Sequence, residues 1–258
     1  MLRLSQGQLT LLEYCPRRFQ HTVLESLSVP PSPELLAGQQ WGDRFHLLMQ
    51  QREMDLPIEP VLAQDAELQA CLTQLRQTAP DLFDTVGETF RQSEHIRSFG
   101  FNDYWFTVVY DLLRQWRDRG EIVDWKTYLQ PKKSIHLQRD WQTRLYLYVL
   151  VKTTGLAPEQ VSMVYWFVRT RHPETHDPHP QQVRLTYSKQ AHHQTQQDLQ
   201  NLTEQLTAWL EAGEPLPQLA PDNNKCNDCP FATRCQRGEA QHLFNEIPGL
   251  EAIAEVVI

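Results

Sequence analysis

Residues 104–126 read YWFTVVYDLLRQWRDRGEIVDWK. Two runs rich in β-branched and aromatic residues flank the turn-like RDRG at 117–120, so the stretch reads as two consecutive strands. Asp111 closes the apolar run of the first strand. Asp124 and Lys126, one residue apart, place a carboxylate and an ammonium on one face of the second. If the strands are neighbours, Asp111 meets Asp124 in an oxygen-rich site suited to Mg2+ or Mn2+. Lys126 beside it would orient water or offset developing negative charge. Taken alone, D-x-K is also the pattern of an ordinary exposed ion pair, and that reading stays open at this point.

Outward from these strands the period of the pattern changes. The N-terminal region 1–80 reads as helical: Ser5 and Gln8 form a capping box for a helix over 9–25, with Leu9, Leu12 and Phe19 on its buried face. Pro16 is expected to kink or split that helix beside Cys15. After VPPSP come a helix over 34–53, with Trp41, Phe45 and Leu48 on one stripe and His46 next to it, and a third from Val61 to Arg76. The core region 86–187 contains strands over 87–98, 104–113 and 121–128, a helix over 138–152, and strands over 161–170 and 183–188. The last region, 188–258, is a long polar helix over 189–211 followed by a loop-like cysteine module. The histidines between 172 and 192 are irregularly spaced and read as a solvated loop and helix start.

A chain of 258 residues with 40% apolar and 10% aromatic residues suits a single domain over 1–258 with a real hydrophobic core. Net charge −8 gives no support to broad electrostatic wrapping of nucleic acid and leaves room only for a local basic groove. MLRLSQGQLT lacks the apolar run of a signal peptide, and no stretch has the length of a membrane span. Five cysteines, three of them clustered, do not resemble a secreted disulfide framework, so a reducing cytoplasm is the expected location.

The order GDRFH at 42–46, Asp111 at a strand end, EIVDWKTY at 121–128 and QTRLY at 142–146 resembles the PD-(D/E)XK nuclease superfamily. The likeness is to its RecB-like branch, which includes CRISPR-adaptation exonucleases and the nuclease domains of helicase-nuclease complexes. That resemblance implies an α/β, restriction-endonuclease-like core with a mixed central sheet and flanking helices. It makes His46, Asp111, Asp124 and the Trp125 carbonyl metal ligands, Lys126 the catalytic lysine, and Gln142 with Tyr146 a supporting pair. Spacing of four independently puts Gln142 and Tyr146 on one helical face. Members of the branch commonly carry a glycine shortly before the second-motif acid, whereas WFTVVYD has none.

CNDCPFATRC at 226–235 holds Cys226, Cys229 and Cys235, an arrangement that wraps thiolates around a metal or cluster. The resemblance implies a [4Fe-4S] cluster that takes Cys15 as fourth ligand and fastens the N-terminal region to the tail, with structural zinc as the alternative. Cys71 reads as a buried helical cysteine. The expected partner is DNA, single-stranded or with free ends, together with a helicase or CRISPR-adaptation protein, in DNA repair, recombination or adaptation. Arg17, Arg18, Lys132, Lys133, Arg139 and Arg144 are candidate phosphate contacts, and Trp141 or Tyr128 candidate stacking residues. A catalytically inactive DNA-binding or assembly subunit and an RNA-directed nuclease are the alternatives.

Overall fold

The computed structural model describes residues 2–30, 33–129, 131–220 and 223–237. Its strands are β1 (Leu2–Leu4), β2 (Phe90–Phe101), β3 (Tyr104–Gln115), β4 (Gly120–Lys126), β5 (Val161–Phe167) and β6 (Gln181–Thr186). Its α-helices are α1 (Gln6–Tyr14), α2 (Pro16–Phe19), α3 (Pro33–Glu53), α4 (Glu59–Leu62), α5 (Ala66–Thr78), α6 (Pro80–Phe83), α7 (Ser134–Arg139), α8 (Trp141–Lys152) and α9 (Lys189–Ala212). The strands form one mixed sheet in the order β1-β3-β4-β5-β6, with β2 along the opposite edge of β3. β1 and β4 thus share the other edge of β3, β1 at Tyr104–Phe106 and β4 at Leu112–Gln115. β4 and β5 are parallel, and α8 belongs to the crossover that such a pair requires.

Both faces of the sheet are covered, which is why β4 and β5 are buried along nearly their whole length. Ile122 and Met163 face a core built with Leu9 and Leu12 of α1, Leu145 of α8 and Leu199 of α9. Val123 and Val164 face a second core with Phe45 and Leu48 of α3 and Leu72 of α5. The fold is therefore α/β with a mixed central sheet, as expected.

Local chemistry explains the boundaries. Ser5 and Gln8 close a capping box: Ser5 N donates to Gln8 Oε1 at 2.8 Å and Gln8 N to Ser5 Oγ at 3.4 Å. Pro16 splits the first helix, and a π-helical turn over Gln20–Leu24 follows α2. The helix expected over 61–76 breaks where Asp65 caps α5, accepting from Glu67 N at 3.1 Å and Leu68 N at 3.0 Å. The helix expected over 138–152 likewise divides at Asp140. No helix among the described residues is long and apolar enough to cross a membrane.

The tie between the two ends of the chain differs from the expected cluster. Arg17 donates from its backbone N to Pro217 O at 3.1 Å and from Nε to Leu216 O at 2.6 Å. Leu216 N donates to Gln20 Oε1 at 2.7 Å, and the Phe231 ring lies 5.2 Å from that of His21. Hydrogen bonds and aromatic packing hold residues 17–21 to residues 216–231, and among the described residues no group of cysteine ligand atoms converges to join them. Residues 238–258 of the expected cysteine module lie outside the described residues.

Phe45 fixes α3 to the sheet. It is fully buried, with its ring 5.7 Å from that of Trp41 and 6.0 Å from that of Trp125. Three residues earlier, a Cβ at Gly42 would come within 3.0 Å of Thr127 Oγ1, so glycine allows the helix to approach the end of β4. Phe45→Ala is expected to lower stability in urea denaturation by about 3–5 kcal/mol, the usual cost of truncating a buried phenylalanine.

Candidate active site

β3 and β4 remain paired only from Gln115–Gly120 to Leu112–Val123. One more step of that register would set Asp111 opposite Asp124, and there the ladder stops. The N–H of Trp125 instead donates to Asp111 Oδ2 at 2.7 Å, so a side-chain carboxylate takes the place of the neighbouring strand's carbonyl. A cleft of about 680 Å³ opens at this divergence, walled by α3 from one face of the sheet and α8 from the other.

His46 of α3 lies 3.2 Å through Nε2 from the Trp125 carbonyl oxygen. A carbonyl only accepts, so in the neutral imidazole Nε2 carries the hydrogen and Nδ1 presents its lone pair. Nδ1 faces two more acceptors, Asp111 Oδ1 at 3.6 Å and Glu94 Oε1 at 4.0 Å. Among the described residues, His46, Glu94 and Asp111 are the group whose ligand atoms lie within 4.8 Å of one another. An imidazole nitrogen and two carboxylates converging in this way fit a cation, since a positive ion satisfies all three at once.

Glu94 was not among the expected ligands. In the β2–β3 register Ser93 pairs with Leu112 and His95 with Tyr110, which brings Glu94 across from Asp111. That pair is missing from the ladder, and Glu94 has φ 47°, a left-handed conformation that a non-glycine residue adopts only under constraint. The antiparallel pairing about the turn at Asn102–Asp103 is the one sequence signal that could have found it.

Asp124 belongs to a second group at the same divergence. Its Oδ1 accepts from Gln142 Nε2 at 2.5 Å, and Lys126 Nζ donates to Gln142 Oε1 at 2.9 Å. One amide therefore holds both the carboxylate and the ammonium of the D-x-K pair. Lys126 Nζ also lies 2.7 Å from Asp124 Oδ2, though out of hydrogen-bonding line, so that this buried oxygen has an ionic neighbour and no aligned donor. Tyr146, one helical turn beyond Gln142, lines the same cleft, and its backbone carbonyl accepts from Tyr110 Oη at 3.0 Å. The expected residues His46, Asp111, Asp124, Trp125, Lys126, Gln142 and Tyr146 are thus gathered in one place, with Trp125 contributing its backbone.

The charges are arranged under strain. Burial, with the Asp124 carboxylate adding to it, holds the Asp111 carboxyl well above the usual range, and the Trp125 N–H and Lys126 only partly offset this. Burial likewise raises Glu94. Burial disfavours the Lys126 ammonium, but Asp124 outweighs it and keeps the lysine charged.

The cofactor expectation is corrected. Cys15, Cys226, Cys229 and Cys235 do line one small space, but among the described residues the side chains whose ligand atoms converge are His46, Glu94 and Asp111, and not these four thiols. A tetrahedral zinc with Zn–S of about 2.3 Å would bring its sulfurs to about 3.8 Å from one another. The cysteines form no group of ligand atoms within 4.8 Å, and all are free thiols. The candidate metal site is instead one of imidazole and carboxylate. With it goes the four-cysteine form of the family resemblance. Cys71 is buried in α5, and burial followed by the nearby Glu67 pushes its thiol up to about 11.

A sequence model of the PD-(D/E)XK nuclease superfamily matches residues 3–236. The structure of a "Putative exonuclease" from Eubacterium rectale superposes with TM-score 0.52 at 13% identity over 87% of each chain, a likeness of fold. The crystal structure of SSO0001 gives TM-score 0.41 at 14% identity over 91% of this chain and 86% of that one. No curated protein matches.

The raised Asp111 carboxyl has a measurable consequence. A carboxyl whose pKa rises on folding costs stability once pH exceeds its unfolded value of about 3.9, and the cost is complete above the folded value. Asp111→Asn keeps an oxygen for the Trp125 N–H and removes the charge. In chelator-treated protein at neutral pH it is expected to raise the melting temperature by about 2–4 °C, and this gain should vanish as pH falls below about 4.

Proposed function

Because the chain belongs to the PD-(D/E)XK nuclease superfamily, we propose that it hydrolyses DNA phosphodiester bonds at the β3–β4 divergence with the help of a divalent cation. Single-stranded DNA or DNA ends are the substrate in this reading, and exonucleolytic cleavage is its mode. The convergence of His46 Nδ1 with the carboxylates of Glu94 and Asp111 carries the reading. These three residues would hold the cation, with Asp124 close by. A bound cation supplies charge neutralisation at a phosphoryl oxygen and makes water easier to deprotonate.

The remaining residues act on position and charge. Lys126 brings a persistent positive charge to the cleft, where it opposes the negative charge that builds on the phosphoryl oxygens during attack. Gln142 fixes the direction of that ammonium by accepting its hydrogen bond at 2.9 Å, and Asp124 adds an ionic neighbour at 2.7 Å. His46 is oriented by the Trp125 carbonyl, and Asp111 by the Trp125 N–H, so one backbone residue aligns two ligands. Water is the nucleophile, without a covalent protein–DNA intermediate.

The test uses end-labelled single-stranded DNA, linear duplex, closed circular duplex and RNA, each with Mg2+ or Mn2+ as probe metal. Wild type is expected to cleave single strands or ends, and Asp111→Ala, Asp124→Ala and Lys126→Ala each to lower the rate by about 100-fold or more. A wild type that cleaves no substrate with either metal, or activity that survives all three substitutions, overturns the proposal. Cleavage confined to RNA would redirect it to another polymer.

A further inference from the structure

Among the described residues, two large aromatic side chains are exposed: Trp105 at 43% and Tyr128 at 45%. Trp105 stands at the hairpin end of β3 and is absent from the wall of the active-site cleft, whereas Tyr128 is part of it. Trp141, the other aromatic considered for stacking, is only 2% exposed and donates from Nε1 to Glu13, which withdraws it from substrate.

Tyr128 lies two residues beyond Lys126, just past the end of β4. Its ring centre is 5.9 Å from Lys126 Nζ and 5.7 Å from Lys132 Nζ, so it stands between the ammonium of the candidate active site and a half-exposed lysine. The next residue, Leu129, lines a second groove of about 790 Å³ that also contains Arg44 and Arg169, and Asp43 borders both grooves. An exposed ring flanked by cations at the meeting point of two grooves combines the two things a single nucleic-acid strand needs, a flat apolar surface for a base and positive charge for its phosphates.

We infer that Tyr128 is the base-stacking platform of the site, taking the base beside the scissile phosphodiester while Lys132 meets a neighbouring phosphate. This rests on the nuclease reading above and adds the origin of strand preference. In a duplex each base face is already covered by its neighbours, so a base reaches the ring only after unstacking, which costs least in single strands and frayed ends. A tyrosine just past the end of β4 thus makes the site selective for unpaired nucleotides without reading their sequence.

The experiment separates stacking from hydrolysis by measuring binding in an Asp111→Asn background, in which the strand is not consumed. Affinities are compared for a 12-mer of deoxythymidine and an abasic 12-mer with the same backbone. With Tyr128 intact, the thymidine strand is expected to bind about 5- to 100-fold more tightly than the abasic one. Tyr128→Ala should bring the two together, and Tyr128→Trp should keep them apart. Should the alanine protein fail to fold, Tyr128→Leu gives the same comparison. Base discrimination that persists in the alanine or leucine variant, equal affinity of the two strands in the parent, or no binding of either overturns the inference. Because the readout is binding, a failed cleavage assay would count against the nuclease reading and leave this result standing.

Discussion

The hydrogen bond from the Trp125 N–H to the Asp111 carboxylate is the constraint on which the site depends. Two strands that paired to their ends would have no cleft, and two that separated freely would leave buried backbone groups without partners. Asp111 resolves both problems by accepting the N–H where the ladder stops. The strands can then splay while the backbone stays satisfied, and the carboxylate is held with its second oxygen toward His46. The Trp125 carbonyl does the same for His46, which it orients. The backbone of one residue between Asp124 and Lys126 therefore organises ligands from β3 and α3.

The site concentrates four carboxylates, Asp43, Glu94, Asp111 and Asp124, in one cleft with Lys126 and His46. Such a cluster costs stability when no cation is present, as the raised Asp111 and Glu94 carboxyls indicate. The cost is borne by the two cores that cover the sheet, and it is the usual relation between a functional site and the fold that carries it. With net charge −8 over the whole chain, nucleic acid would be met locally, by Lys126, Lys132 and Tyr128 at the rim, and not by a broad basic face.

Much of this was legible in the sequence, and the reason is periodicity. The runs of β-branched and aromatic residues in 104–126 marked both strands, the two-residue spacing put Asp124 and Lys126 on one face, and the four-residue spacing put Gln142 and Tyr146 on one turn-to-turn line. Glu94 escaped because its place depends on a cross-strand register and a left-handed backbone, neither of which is a local pattern. β1 escaped because three residues are too few to show alternation, and the breaks at Asp65 and Asp140 because a cap inside an apolar periodic run looks like an ordinary polar position. The cysteines misled in the opposite direction. Their spacing fits a metal knuckle, but residues 216–231 are held to the N-terminal region by Arg17, Gln20 and the Phe231–His21 contact, and among the described residues the ligand atoms that converge belong to His46, Glu94 and Asp111.

The proposed cation site is formed by Glu94, His46 and Asp111 at the point where β3 and β4 part. Its most direct measurement is a titration of the chelator-treated protein with Mn2+ as spectroscopic probe, followed by electron paramagnetic resonance, in wild type and in Glu94→Gln. A saturable site in wild type that weakens at least tenfold in Glu94→Gln is the result the structure predicts. Mn2+ binding of equal affinity in both proteins would place the cation elsewhere and contradict the proposed site.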